Sequence, residues 1–247
     1  MSSVLKYIWK EITKAMPLDE FGDYNEYWER RADIYSTSDR YPPLHRAKLI
    51  SENIEPNSTV LDIGCGDSTL MEYLSKHKSP KRIVGIDISK ESVKKAESKG
   101  YEAYEIDITS DAFKEFIKKN KFDYIILTEI LEHVQNSEQI MLNIQKNFNK
   151  SIYVSIPNSG YFTHRLRLMF GRFPIVVIMY HVQEHIRFWT HKDFLYWSAH
   201  LGYKVKNTRA SSTFLNIDTL GEALPSLFAI QIIYELTKNT NSLIADT

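Results

Sequence analysis

Two short segments carry acidic and imidazole side chains whose spacing suits shared chemistry. Glu129, Glu132 and His133 are spaced i, i+3 and i+4, so a helix that begins here would place their side chains on one face. His185 stands in a later segment, residues 181–190. Two carboxylates and two imidazoles suit a divalent metal such as Mn²⁺, Fe²⁺, Co²⁺ or Zn²⁺, and Mg²⁺ if waters complete its octahedron. We therefore expect a candidate metal site at these four residues.

The same side chains also suit proton transfer without a metal. A neutral imidazole titrates near pH 7, so His133 is the first choice of general base, with Glu129 and His185 as the other candidates. The composition of the cluster does not separate these two roles. Metal binding and metal-free base catalysis both stay open at this point.

A second constellation lies at residues 60–68, where a short apolar run enters a tight glycine turn. Gly64 and Gly66 allow backbone amides to approach a ligand, and Asp87 closes the next apolar run 21 positions after Gly66. A carboxylate at that place accepts hydrogen bonds from ribose hydroxyls. A dinucleotide-binding loop would carry a third glycine three residues after Gly66, and this chain has none there. The turn indicates an adenosine-containing cofactor other than a dinucleotide.

The surrounding pattern predicts an α/β fold with a mostly parallel sheet. Short β-branched runs alternate with polar helical patterns, and Val93 and Ala96 form the inward face of a helix over residues 89–99. A further helix opens at Thr190, with Asp193 as its capping partner. Strands are expected at residues 59–63, 82–87, 103–106, 124–128, 152–156, 203–208 and 227–236, the last two as an antiparallel edge hairpin. Both constellations then lie at the carboxyl ends of parallel strands, where ligand crevices open.

We expect one domain over residues 1–247. It comprises an N-terminal helical lid (1–54), a cofactor-binding core (55–157), a substrate insertion (158–189), a C-terminal helix and strands (190–237) and a frayed polar tail (238–247). Tyr24 and Trp28 belong to an aromatic segment, residues 21–31, that forms either a lid over the substrate or a helix packed on the sheet edge. The sequence leaves that choice open.

The insertion carries the basic side chains that suit recognition of a phosphate or carboxylate. Guanidinium groups bind such anions through forked hydrogen bonds. Ordinary solvated charge is the alternative for all of them. The candidate substrate residues in the insertion are Arg165, Arg167, Arg172 and His181, with His164 beside them.

Composition excludes several classes of protein and partner. Lys plus Arg equals Asp plus Glu at 31 each, so no global field draws the chain to nucleic acid; we expect no DNA partner, and we rank RNA below a small-molecule substrate. The one cysteine, Cys65, excludes an intrachain disulfide framework and fits a reducing cytoplasm. The opening residues lack an apolar signal core, and no window approaches the ~20 apolar residues of a membrane-spanning helix. The oligomeric state is left open.

The run Asp62-x-Gly64-x-Gly66-x-Ser68 resembles motif I of the class I S-adenosylmethionine-dependent methyltransferases, with Ser68 in place of that family's third glycine. The resemblance implies a Rossmann-like methyltransferase fold with a seven-stranded, mostly parallel sheet, helices on both faces and an insertion after strand 5. It implies that Asp87 contacts the ribose diol. Asp107 then either accepts a hydrogen bond from the adenine amino group or serves as a turn or cap residue. The cofactor-binding residues implied are Asp62, Gly64, Gly66, Asp87, Ile88, Asp107, Ile108, Thr128 and, from a segment similar to that of the ubiquinone-type enzymes, Arg46.

Residues 122–134 resemble motif IV of the ubiquinone- and methionine-biosynthesis types of small-molecule methyltransferase. The Glu-x-x-Glu-His run and the later His before Trp-Thr are similar to enzymes that methylate the 3′-terminal ribose of small RNAs. That likeness implies Glu129, Glu132, His133 and His185 as metal ligands.

The first functional hypothesis is S-adenosylmethionine-dependent methylation of an oxygen on a small polar, anionic metabolite. A sugar nucleotide, or a phosphorylated or phosphoramidate precursor of a surface polysaccharide, would fit the local arginines. RNA 3′-end 2′-O-methylation is the alternative that the paired motifs favour. A catalytically silent cofactor-binding partner subunit is a third possibility, and an oxidoreductase is disfavoured by the missing third glycine.

Overall fold

The chain forms one seven-stranded sheet in a computed structural model that describes residues 3–20, 22–35 and 42–239. The strands are β1 (Thr59–Ile63), β2 (Arg82–Asp87), β3 (Glu102–Glu105), β4 (Phe122–Thr128), β5 (Phe148–Pro157), β6 (Tyr203–Thr213) and β7 (Ala229–Lys238). Their order across the sheet is β3-β2-β1-β4-β5-β7-β6. The pairs among β1 to β5 are parallel, and β7 runs antiparallel to both β5 and β6.

Helices cover both faces of the sheet, as the alternation of elements predicts. They are α1 (Ser3–Thr13), α2 (Tyr24–Tyr35), α3 (Pro42–Ser51), α4 (Thr69–Lys78), α5 (Lys90–Ser98), α6 (Asp111–Lys119), α7 (Ser137–Ile144), α8 (Phe162–Met169), α9 (His191–His200), α10 (Asp218–Ala223) and α11 (Pro225–Phe228). Alternate residues of a strand point to opposite faces. Leu61 and Ile63 therefore pack in the core that includes α6, α7 and α9, while Val60 packs in the core beneath α3 and α4.

The predicted strands agree with the structure most closely in the cofactor-binding half. β1 and β2 have the predicted bounds, and Val93 and Ala96 of α5 are buried as expected; Ser89 is the N-cap of that helix. The prediction for residues 227–236 was wrong at its start, because Pro225 opens the short helix α11 and β7 begins only at Ala229. The antiparallel pairing of β6 with β7 is confirmed, although helical segments rather than a tight turn connect them.

The first two helices pack against later helices of the chain, α1 against α8 and α2 against α5. Asn25 at the start of α2 accepts a hydrogen bond from the Ser89 hydroxyl at 2.9 Å. Phe21 of the expected lid segment and residues 240–247 of the expected tail lie outside the described residues. Within the described part of the chain, every helix is too short or too polar to cross a membrane.

Candidate active site

A cavity of about 510 Å³ opens at the carboxyl ends of β1, β2 and β4. Its size lies in the range of small-molecule sites. The glycine turn, α2, the segment after β4 and part of the insertion form its walls. The following predicted residues line it: Tyr24, Trp28, Arg46, Asp62, Gly64, Gly66, Asp87, Ile88, Asp107, Ile108, Thr128, Glu129, Glu132, His133 and His185.

The backbone of the glycine turn adopts a conformation that would be strained for any residue with a side chain. Gly64 and Gly66 have φ values of +74° and +50°, in the left-handed region that favours glycine. A Cβ at Gly64 would collide with the side chain of Ile130, and one at Gly66 would collide with the indole of Trp28. The turn is therefore closely covered, and a methyl group at either glycine would displace one of those side chains.

Asp87 holds the turn and faces the cavity at the same time. Its Oδ2 accepts a hydrogen bond from the Gly66 amide at 2.9 Å, and its Oδ1 accepts one from the Ser89 amide at 2.8 Å. Burial raises the pKa of Asp87, and these backbone donors oppose that rise. Each carboxylate oxygen has a second lone pair, so both can still accept from a ligand hydroxyl.

Asp107 lines the cavity and also forms a turn. Its Oδ1 accepts hydrogen bonds from the Thr109 amide at 2.8 Å and the Thr109 hydroxyl at 2.7 Å. The turn role that the sequence left open is therefore present. The position of Asp107 on the cavity wall also agrees with contact to a ligand.

Asp62 and Arg46 are two buried ionisable groups on the wall of the cavity. Asp62 is buried, its Oδ1 has no hydrogen-bond partner, and burial together with Asp87 and Asp67 raises its pKa to about 8. Arg46 is buried too; its Nη1 donates to Gln231 Oε1 at 3.2 Å, and its Nε has no partner. Buried polar atoms without partners are rare in native proteins. This pair suits the ammonium and carboxylate groups of an amino-acid moiety.

Glu129 does not share a helical face with Glu132 and His133, contrary to the sequence expectation. It has a left-handed backbone, with φ of +56°, and only a short 3₁₀ turn, Leu131–His133, follows it. Its Oε1 accepts from the Ser155 hydroxyl at 2.7 Å, and its Oε2 accepts from Gln231 Nε2 at 2.6 Å. Gln231 thus joins Glu129 to Arg46.

Glu132, His133 and His185 form a compact cluster. One ligand atom from each of these three residues lies within 4.8 Å of the others. The Glu132 side chain is 1% exposed and neither carboxylate oxygen has a hydrogen-bond partner, while Oε1 lies 3.9 Å from His133 Nε2. Burial, and then the charge of Glu129, raises the pKa of Glu132 well above its usual value. An unpaired buried carboxylate is costly, so this site favours a proton or a cation.

The hydrogen bonds of both imidazoles direct a lone pair into this cluster. His133 Nδ1 lies 2.6 Å from the Glu184 carbonyl oxygen, which can only accept, so Nδ1 is protonated; in the neutral ring Nε2 then offers its lone pair. His185 Nδ1 has no partner, and the Val176 carbonyl accepts from the opposite side of the ring. Burial and His133 lower the pKa of His185 to about 3, which keeps it neutral. Metal-bound imidazoles commonly have this arrangement.

Glu184 fixes the segment that supplies these contacts, and the sequence analysis missed it. Its buried carboxylate accepts from the amides of Tyr180 at 2.5 Å and His181 at 2.8 Å. The following amides, of Ile186 and Arg187, donate to the Glu132 carbonyl at 2.9 Å and 3.1 Å. The His181–Glu184 spacing of a capping box was the available signal.

The predicted anion-binding residues of the insertion do not line the cavity. Arg165 donates to the Gly160 carbonyl at 2.6 Å, and Arg172 donates to the Thr13 carbonyl at 3.3 Å. Arg167 is buried and donates to several backbone carbonyls at the end of α1. Because carbonyl oxygens satisfy guanidinium donors as anions do, these arginines join the insertion to its neighbours.

The two histidines expected to assist anion binding, His164 and His181, also lie away from the cavity wall. His164 is buried, and its Nδ1 lies 3.2 Å from the Asn158 carbonyl oxygen. His181 Nδ1 accepts from the Gln183 amide at 3.1 Å and caps a 3₁₀ turn. Both imidazoles therefore stabilise local backbone structure.

Tyr24 and Trp28 of α2 line the cavity. Tyr24 lies edge-on to His133 with ring centroids 6.3 Å apart, and burial raises the pKa of Tyr24 to about 12, so its phenol stays protonated. Trp28 covers Gly66. Trp28 therefore covers the glycine turn and Tyr24 lies beside the cluster, which agrees with the lid predicted for this segment.

A family model and several known proteins are similar to this chain. Residues 45–236 match the family model described as methionine biosynthesis protein MetW. The chain is 29% identical over 141 residues to a ubiquinone biosynthesis O-methyltransferase of Coxiella burnetii (51% of this chain, 54% of that protein). It is 26% identical over 183 residues to the small RNA 2′-O-methyltransferase of Schizosaccharomyces pombe (64% and 48%). The chain thus spans about half the length of these two relatives.

The fold also matches solved structures. A SAM-dependent methyltransferase from Archaeoglobus fulgidus superposes with a TM-score of 0.60 at 15% identity, covering 86% of this chain and 99% of that one. The likeness supports the Rossmann-like fold of class I S-adenosylmethionine-dependent methyltransferases. Because the MetW family model covers most of the sequence, from β1 through β7, the chain belongs to the family of the methionine biosynthesis protein MetW.

Proposed function

We propose that the protein is an S-adenosylmethionine-dependent methyltransferase that acts on an oxygen of a small polar molecule. The observation that carries this proposal is the shared cavity: the glycine turn forms one wall, and Glu132, His133 and His185 form another. A cofactor on the turn would present its methyl group toward groups able to bind and deprotonate a hydroxyl.

The cofactor's polar groups find partners along the first wall. Asp87 would accept from the ribose hydroxyls, with Ile88 and Ile108 against the adenine ring and Asp107 at its amino group. Thr128, at the end of β4, lies on the wall where the cofactor's methionine moiety would run.

The methionine end would meet the two buried, incompletely partnered charges. Asp62 would accept from the ammonium group and Arg46 would bind the carboxylate. Gln231 would orient Arg46, and Glu129 would orient Gln231 in turn. In this account Glu129 serves cofactor binding, and it is a secondary candidate for metal ligand or base.

The residues at the second wall fit a divalent cation. Glu132 supplies two unpartnered carboxylate oxygens, and the imidazoles of His133 and His185 supply neutral nitrogen donors. A mixed nitrogen and oxygen set suits Mn²⁺, Fe²⁺, Co²⁺ or Zn²⁺, and Mg²⁺ less well. A bound ion of this kind lowers the pKa of a coordinated hydroxyl.

The chain's own residues would perform the remaining chemistry. The acceptor oxygen attacks the methyl carbon and the carbon–sulfur bond breaks with its electron pair moving to sulfur. Where no cation occupies the lone pair of His133 Nε2, that nitrogen takes the hydroxyl proton. The Glu184 carbonyl holds a proton of that imidazole on Nδ1, so the neutral ring is unprotonated at Nε2. Tyr24 and Trp28 would exclude water from above.

The charges of the cavity restrict the acceptor. Among the described lining residues, Arg46 is the sole lysine or arginine, while several carboxylates are present. The insertion arginines no longer support the anionic polysaccharide precursor expected from sequence, because they bind backbone carbonyls. We therefore propose a small hydroxyl-bearing acceptor, whose anionic group, if it has one, would contact the cation. A cytoplasmic location stays a prediction from the single cysteine.

Methylation of an RNA 3′ end is the second candidate. It is favoured by the similarity to a small RNA 2′-O-methyltransferase and by the cluster of Glu132, His133 and His185. The neutral composition argues against a nucleic-acid partner. A silent S-adenosylmethionine-binding subunit is the third candidate, and the ordered cluster argues against it.

The test is formation of S-adenosylhomocysteine with and without Mn²⁺ and three probes: 3,4-dihydroxybenzoate, a sugar phosphate and a short RNA with a free 2′,3′-diol. We expect turnover with a small-molecule probe, abolished in His133→Ala, whose affinity for S-adenosylmethionine stays normal. His200→Ala, an exposed histidine at the end of α9, should retain wild-type turnover.

Each other outcome selects an alternative. Turnover with the RNA alone would favour the second candidate. Cofactor binding without turnover on any probe would favour the silent subunit, and wild-type turnover in His133→Ala would refute the role of that imidazole.

A further inference from the structure

Large apolar side chains are exposed together at the tip of the insertion. Met169 is 78% exposed, Phe170 is 63% exposed and Leu168 is 57% exposed, and Phe173 follows them at 48%. Scattered apolar residues are ordinary on a surface, but a contiguous group marks a site of interaction. None of these four side chains lines the cavity.

α1 extends this apolar surface. Hydrogen bonds from Arg167 to the carbonyls of Glu11 and Ile12, and from Arg172 to the Thr13 carbonyl, hold the end of α1 beside the tip. The outer side of α1 presents Leu5 and Trp9, each more than half exposed and one helical turn apart. We call the six side chains Leu5, Trp9, Leu168, Met169, Phe170 and Phe173 the α1–α8 face.

The charged residues of α1 and of the tip are predominantly positive. Lys6, Lys10 and Lys14 are exposed and follow one another at intervals of one helical turn. Lys6 directly follows Leu5 in the sequence, and Lys10 directly follows Trp9. Arg172 adds a fourth cation at the tip. Glu11 is the acidic residue within α1, and it is partly covered.

We propose that the α1–α8 face binds the surface of an anionic lipid bilayer. A helix with Trp and Leu beside a row of lysines lies in the interface of such a bilayer, with its apolar side chains among the acyl chains. The lysine stems reach past the apolar groups to the lipid phosphates. A second copy of the chain fits less well, because a two-fold contact through this face would bring two sets of these lysines into one interface.

This contact would bring the cavity close to the bilayer. The insertion continues from the tip to Val177 and Met179, which line the cavity, and then to His185. Binding through the tip would therefore bring the cavity wall that contains His185 near the lipid surface. The proposal concerns binding alone, so it stands or fails independently of the methyltransferase activity.

The test is co-sedimentation of the full chain with vesicles of phosphatidylcholine, with and without phosphatidylglycerol. We expect binding to the anionic vesicles that weakens as salt is added, since salt screens exposed charges. Two double variants, Met169→Glu with Phe170→Glu and Lys10→Glu with Lys14→Glu, should each reduce binding about 10-fold or more. Tyr196→Glu, a 77% exposed aromatic residue on α9, should bind as the wild type does.

The remaining outcomes would overturn the proposal. They are absence of binding to anionic vesicles, equal loss in Tyr196→Glu, or a wild-type dimer by light scattering that Met169→Glu with Phe170→Glu dissociates while lipid binding is absent. Preference for an RNA over anionic vesicles would also overturn it. Thermal melting of each variant would establish that it is folded before binding is compared.

Discussion

Three side chains with lone pairs, those of Glu132, His133 and His185, meet on one wall of the proposed active site. Glu132 carries unpartnered oxygens, and the hydrogen bonds of His133 and His185 leave a nitrogen lone pair of each ring facing it. Such groups repel one another unless a cation or a proton lies between them. The arrangement is therefore better suited to binding and deprotonating a ligand than to stabilising the fold.

At the residue scale, Gln231→Ala should weaken S-adenosylmethionine binding about 10-fold, because the buried Arg46 would lose the acceptor that orients it. Calorimetry with S-adenosylmethionine in metal-free buffer measures this. The affinity for Mn²⁺ should not change, since the side-chain hydrogen bonds of Gln231 go to Arg46 and Glu129 rather than to the cluster. Gln139→Ala, an exposed glutamine on α7, is the matched control. Unchanged cofactor affinity in Gln231→Ala would remove Gln231 from the cofactor site.

Sequence reasoning identified most individual residues of the cavity and missed the links between them. Asp62 and Asp87 followed from a motif, because a glycine turn and a strand end have recognisable local patterns. Gln231 lies on β7, 102 positions from Glu129, and no local pattern indicates that contact. The insertion arginines were misjudged because a guanidinium that binds backbone carbonyls looks the same in sequence as one that binds an anion.

At the element scale, two segments complete the site from outside the sheet. Residues 179–187 are held to the turn after β4 by the amides of Ile186 and Arg187 and by the Glu184 carbonyl. α2 covers the glycine turn through Trp28. Loops carried on a rigid sheet commonly supply function in this way.

Trp28 should report cofactor binding. A ligand that enters along the glycine turn must change the surroundings of the indole that now covers Gly66. Titration with S-adenosylhomocysteine should therefore change the intrinsic tryptophan fluorescence of the wild type, and Trp28→Phe should lose most of that change. Trp9→Phe, which alters an exposed tryptophan of α1, should keep it. A full signal in Trp28→Phe would mean that α2 does not cover the bound cofactor.

The elements themselves were largely predictable, and their ends were less so. β1 and β2 agreed in both bounds because turn residues flank short β-branched runs there. The expected helix at Glu129 was wrong, because the left-handed backbone of that residue breaks the i, i+3, i+4 relation. Long-range contacts with Ser155 and Gln231 hold that conformation, and helical spacing alone does not reveal them.

At the scale of the whole molecule, buried histidines link stability to pH. Burial lowers the pKa of His164 to about 4, below the value of about 6.5 expected in the unfolded chain. The unfolded state therefore binds the proton first, so this contribution to stability is complete above pH 6.5 and is lost as the pH falls toward 4. His185, with a pKa of about 3, acts in the same direction.

His164→Asn should accordingly lose less stability than the wild type between pH 7.5 and 4.5, with a difference of about 2 kcal/mol. Urea unfolding of both proteins at the two pH values measures it. Comparing the change in each protein cancels the other titrating groups. Parallel loss of stability in the two proteins would show that His164 is not kept neutral by burial.

The most direct test of the whole account is calorimetric titration of the metal-free protein with S-adenosylmethionine. We predict one cofactor per chain, with affinity lowered by about 10-fold or more in Asp87→Ala, which removes the carboxylate beside the glycine turn. His133→Ala should retain wild-type affinity. Absence of binding by the wild type, or undiminished binding by Asp87→Ala, would contradict the assignment of this cavity as a methyltransferase site.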